Sequence, residues 1–91
     1  MTENKFLIRT VALKLLEKVY LETNSRLKAT INAFELANDN IDNDTIQKAG
    51  EYLKNKHYIK TDQYASDNWT VLLLADGIDW LEDSYNINTV L

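Results

Sequence analysis

The chain contains no cysteine and no proline, and only two of its 91 residues are glycine. Without cysteine, disulfides and thiolate metal sites are excluded, which fits a cytoplasmic protein. Long apolar runs are also missing. The longest spans Val71 to Ala75, far short of the roughly 20 residues needed to cross a bilayer as a helix. The first residues, with Glu3, Lys5 and Arg9, lack the continuous apolar core of a signal peptide. There are no repeats, no low-complexity segment and no linker. No glycine-rich phosphate loop, nucleophile motif or carboxylate pair set for acid–base work is visible, so a non-enzyme without cofactor is expected. The single histidine, His57, has no cysteine or second histidine with which to share a metal. It falls just past a predicted helix end, where positive charge suits the dipole. Asp76, Asp79, Glu82 and Asp83 read as a solvated helix face rather than a cation site.

What is present fits one small soluble domain over residues 1–91. A chain this size buries roughly 60–65% of its unfolded surface, enough for a single modest core. Hydrophobic residues make up 45% and charged residues 26%, ordinary for a globular protein. The net charge is −4, but its distribution matters more than its sum. Residues 1–28 hold six basic and three acidic side chains, and residues 44–60 hold four lysines against Asp44 and Glu51. From residue 61 to the end there are six acids and no lysine or arginine. Such a protein can present a mildly basic face while its far side is acidic.

Apolar spacing predicts a first helix over Asn4 to Glu22, with Leu7, Ile8, Val11, Ala12, Leu15, Leu16 and Val19 on its inner side. Thr23, Asn24 and Ser25 end it, because short polar side chains compete for backbone hydrogen bonds. Leu27 to Ala29 is too short to assign and would suit a small strand. Thr30 is an expected N-cap for a second helix over Ile31 to Asn38. Asn38, Asp39 and Asn40 favour a turn. Asp42 is an N-cap for a third helix running to about Lys56, with Ile46, Ala49, Gly50 and Leu53 inward. Gly50 costs about 1 kcal/mol against alanine in a helix, and close packing against another helix is the expected reason. Tyr58 to Asp62 and Asn68 to Leu74 alternate as two strands joined by a turn over Gln63 to Asp67. A short helix opens at Ala75, with Ile78 and Leu81 inward, and Tyr85 to Leu91 forms a tail. With Trp69, Val71 and Leu73 facing the helices, Leu72 and Leu74 face the other way. Trp80, Tyr85, Ile87, Val90 and Leu91 are candidates to cover them, from this chain or from a second subunit.

These pieces carry a family resemblance. Ile41-Asp42, Thr45-Ile46, Ala49, Tyr52-Leu53 and Tyr58-Ile59 resemble the third helix and first wing strand of bacterial winged helix-turn-helix proteins. Leu74 to Glu82 (Leu-Ala-Asp-Gly-Ile-Asp-Trp-Leu-Glu) is similar to the segment that leaves the second wing strand of MarR-like and PadR-like regulators. There threonine is common where Leu74 stands, so that position departs from the pattern. The resemblance covers roughly Phe6 to Asp83. It implies an α+β winged helix-turn-helix: a three-helix core, a two- or three-stranded antiparallel wing and a short C-terminal helix. It implies a DNA-binding regulator of bacterial or phage type, though fold alone does not settle function.

On that reading the third helix enters the major groove. Its outward residues are Asn43, Thr45, Gln47, Lys48, Glu51 and Lys54. Asn and Gln pair with adenine edges, Thr touches a thymine methyl, and Lys holds phosphate or guanine. Lys28, Lys48, Lys54, Lys56 and Lys60 would supply phosphate contacts, with Arg26 and His57 beside them. The wing argues the other way: Asp62 and Asp67 flank its tip without a base, whereas phosphate neutralisation dominates DNA affinity. The alternative function is therefore a protein-interaction module that docks a partner through the acidic wing or the C-terminal apolar residues. A homodimer is expected in the DNA-binding case, because paired winged helices match two half-sites.

Overall fold

The computed structural model describes residues 4–23, 26–39, 41–63 and 68–85. Its elements run α1 (Asn4–Glu22), β1 (Lys28–Asn32), a short 3₁₀ turn (Ala33–Leu36), α2 (Asn43–Asn55), β2 (Ile59–Gln63), β3 (Asn68–Leu73) and α3 (Ala75–Tyr85). The protein is thus α+β, the described residues forming three α-helices and one three-stranded antiparallel sheet in the order β1-β3-β2.

Buried positions in α1 are Val11, Ala12, Leu15, Leu16 and Val19, the helical spacing that lines one face. The core closes when this face meets Ile46, Ala49 and Leu53 of α2 and the inner face of the sheet. Strand alternation decides which sheet residues join it. Ala29 and Ile31 of β1, Ile59 of β2, and Trp69, Val71 and Leu73 of β3 point inward, as a period of two requires. Trp69 is fully buried, with the Phe34 ring edge-on at 6.1 Å.

One expected element differs. Ile31 and Asn32 are strand, paired with Trp69 and Asn68, and only Ala33 to Leu36 is helical, as a single 3₁₀ turn. Thr30 is consequently no N-cap: it sits mid-strand opposite Thr70. The alternation of Lys28, Ala29, Thr30 and Ile31 suits a half-buried strand, and pairing with β3 supplies its backbone partners. Lys18 on α1 then fixes the 3₁₀ turn by an ion pair to Glu35 at 2.8 Å.

The start of α2 follows its sequence signals. Asp42 has extended backbone and accepts the Thr45 N–H at 2.8 Å, the N-cap bond. Ile41 before the cap and Ile46 in the first turn are both buried, the positions of a hydrophobic staple. At the other end His57 adopts φ 64°. Its N–H reaches the Lys54 carbonyl and the Tyr58 N–H reaches that of Leu53, both at 3.0 Å. This is a Schellman closure built on histidine in place of glycine.

The neighbour of Gly50 is Trp69 on β3 rather than another helix: a Cβ at 50 would lie 2.7 Å from the indole Cζ3. Trp80 on α3 stacks on Tyr58 at 5.1 Å and reaches Tyr52 at 6.4 Å, so it covers the α2–β2 junction and not Leu72. The Tyr85 hydroxyl donates to Glu17 of α1 at 3.1 Å. The expectations placed on Asn24, Ser25, Tyr64 to Asp67 and Asn86 to Leu91, and on the side chains of Leu7 and Asp62, lie outside the described residues. No helix among the described residues is long and apolar enough to cross a membrane.

Candidate nucleic-acid interface

With Ile46, Ala49, Gly50 and Leu53 of α2 buried, the rest of the helix divides into two stripes. A rotation of 100° per residue puts Asn43, Gln47 and Lys54 on one flank. Asp44, Lys48, Glu51 and Asn55 form the ridge opposite the core. All seven are exposed. The ridge is charge-poor in sum: Lys48 pairs with Asp44 at 3.2 Å, leaving Glu51. It adjoins Ile8 and Tyr52 across a shallow groove.

The flank has a different neighbourhood. Lys54 and Asn55 share a surface concavity with His57, Ile59, Lys60 and Thr61, and no acidic side chain lines it among the described residues. The Asn43–Gln47–Lys54 stripe therefore leads, at its C-terminal end, onto the basic root of β2.

Two residues expected at the DNA, Thr45 as a reader and Lys56 as a phosphate contact, are placed otherwise. Thr45 is half-buried and its hydroxyl donates to Asp42 at 2.7 Å, so it closes the cap and is not offered to a ligand. The bond from that hydroxyl, with the backbone bond from the same residue, holds the Asp42 carboxyl below its ordinary pKa. Lys56 caps the C-terminal end of α2 with its ammonium 5.9 Å from the centre of the Tyr52 ring. It therefore lies on the other flank, toward Trp80.

Lys28 and Lys60, well separated in sequence, meet on the outer face of the sheet. Both are opposite Leu72 of β3, one from each side. Arg26, grouped with Lys28 by sequence as preceding a helix, in fact stands at the entry to β1. The three cations surround a depression of about 270 Å³ that also includes Thr61, Thr70 and Leu72. Sequence reasoning did not reveal this grouping, because it depends on strand register. The alternation of residues 28–31 was the available signal.

No protein-family model, curated protein or solved structure matches the chain.

Proposed function

We propose that the chain is a winged helix-turn-helix protein that binds double-stranded DNA as a transcriptional regulator, with α2 entering the major groove. The element order suits this reading, since a helix, a first strand, a helical turn and α2 precede a β2–β3 hairpin in the position of a wing. The observation that carries it is the exposed Asn43–Gln47–Lys54 flank, whose last residue shares with His57 and Lys60 a concavity that no acidic side chain lines among the described residues. Amide side chains at the front of the helix suit adenine edges, and cations behind them suit phosphates.

The test is binding to random-sequence duplex DNA across a salt series. Binding that weakens steeply with salt is expected, and Lys54→Ala and Lys60→Ala should each flatten the logarithmic slope by about one unit. No binding at low salt would overturn the reading.

One observation favours a second reading. The ridge of α2 carries Asp44 and Glu51 against Lys48 and adjoins Ile8 and Tyr52. Acids beside apolar side chains suit a basic amphipathic peptide better than DNA. Should duplex DNA fail to bind, this groove becomes the leading surface, and Glu51→Lys is the variant that would abolish docking there.

A further inference from the structure

We propose that the outer face of the sheet is a binding site for a small phosphate ester, held by Arg26, Lys28 and Lys60 over Leu72. This assignment does not rest on the DNA reading.

Register creates the site. Lys28 and Lys60 both pair with Leu72 across the sheet, so their Cα atoms stand roughly 10 Å apart, two strand spacings. At that separation two long side chains converge above the strand between them. Arg26 lies two residues before Lys28, just ahead of β1, and lines the same depression. None of the three is ion-paired to another described residue, and no acidic side chain lines the depression among the described residues. Three like charges around one concavity repel one another, and a dianion there relieves that repulsion. Arginine adds a planar fork suited to phosphate oxygens.

The backbone supports the placement of Arg26. Arg26 and Leu27 have φ of 62° and 56°, and neither is glycine. Left-handed conformations are costly for residues that carry a Cβ. This pair turns the chain into β1 just where Arg26 joins the depression.

Size and lining select the ligand. At about 270 Å³ the depression falls just below the range for drug-sized ligands. Its floor is Leu72, with the Thr70 hydroxyl at one side, 3.5 Å from that of Thr30. A phosphate head with a short apolar body matches this lining. Among the described residues that line the depression there is no aromatic ring on which bases of a single strand could stack.

The experiment is titration of the 15N-labelled chain with phenyl phosphate and, separately, inorganic phosphate at matched ionic strength. Saturable shifts at the amides of Arg26, Lys28, Lys60, Thr70 and Leu72 are expected, with phenyl phosphate about fivefold tighter because it covers Leu72. Arg26→Ala and Lys28→Ala should each weaken binding about tenfold, and Leu72→Asn should erase the preference for the phenyl ester. Gln47→Ala with Lys48→Ala should leave phosphate binding unchanged, and the dispersion of each variant's spectrum shows that it is folded. Absence of saturation, or shifts spread evenly over all lysines, would overturn the proposal. A third arm adds duplex DNA. If duplex shifts the same sheet amides and displaces phenyl phosphate, and Arg26→Ala weakens both, the phosphate belongs to a nucleic-acid backbone and the small-ligand site is refuted.

Discussion

The Trp69 indole occupies the space that a side chain on Gly50 would need. A Cβ there would stand 2.7 Å from Cζ3 and 2.8 Å from Cη2 of the ring. Trp69 is fully buried and held edge-on by Phe34, so it has little room to retreat. Gly50→Ala would gain about 1 kcal/mol of helix propensity but incur about 1–3 kcal/mol of overpacking. A net loss of about 1 kcal/mol in urea denaturation is expected. A more stable variant would show that the ring gives way.

Gly77 makes the stricter demand. A Cβ there would collide with the Tyr58 carbonyl, which is backbone and already accepts the Leu74 N–H at 3.0 Å. No rotamer change relieves that contact. Gly77→Ala should cost about 2 kcal/mol or more and disturb the stacking of Trp80 on Tyr58, visible as a change in tryptophan fluorescence. An unaltered spectrum with unaltered stability would refute this close approach of α3 to the Tyr58 backbone.

His57 closes α2 with φ 64°, in a position that glycine fills without steric cost. His57→Gly should therefore stabilise the protein by about 1 kcal/mol. The midpoint of chemical denaturation is the readout, and a loss of stability would mean that the imidazole contributes contacts outweighing its backbone strain.

How far the sequence foretold these features depends on whether the signal was local. The α1 and α2 helices and the β2–β3 pair follow from spacing, and the Asp42 cap follows from one side chain and the next turn's N–H. Residues 30–32 are ambiguous in sequence because Thr30 suits an N-cap as well as a strand, and only the pairing with Thr70 decides between them. Gly50 announced close packing, yet its partner lies on a strand nearly twenty residues later. The positions of Arg26, Lys28 and Lys60 along the chain do not show that the three meet. Their convergence requires knowing that β1 and β2 flank β3 with Lys28 and Lys60 both at Leu72.

Charge at the N-cap has a pH consequence. Thr45 donates from its hydroxyl and its backbone to Asp42, which lowers the folded-state pKa of that carboxyl. A lowered folded pKa contributes stability that is present above the unfolded value. It is lost as pH falls through the folded value. Stability should therefore decline below about pH 4. In Asp42→Asn, which retains an acceptor but no charge, the decline should be shallower. Thermal midpoints measured from about pH 6 down to pH 2 check this, and parallel profiles for the two proteins would remove Asp42 from the account.

The two stripes of α2 make separable predictions about DNA. Gln47 lies on the flank with Asn43 and Lys54, while Glu51 lies on the ridge, beyond the Asp44–Lys48 pair. A base-reading amide acts only where its base is present. Gln47→Ala should thus cost about 1–3 kcal/mol at a selected operator and almost nothing on random duplex. With α2 in the groove as proposed, Glu51, which is ion-paired to no other described residue, would face the phosphates, so Glu51→Gln should strengthen binding to every sequence alike, and more at low salt than at high. Competition between a selected operator and random duplex, run on both variants, measures the two effects together. Equal losses on both DNAs for Gln47→Ala would make it a phosphate contact. No response to Glu51→Gln at low salt would mean that the ridge of α2 does not face the duplex, and the helix would have to enter the groove along its flank alone.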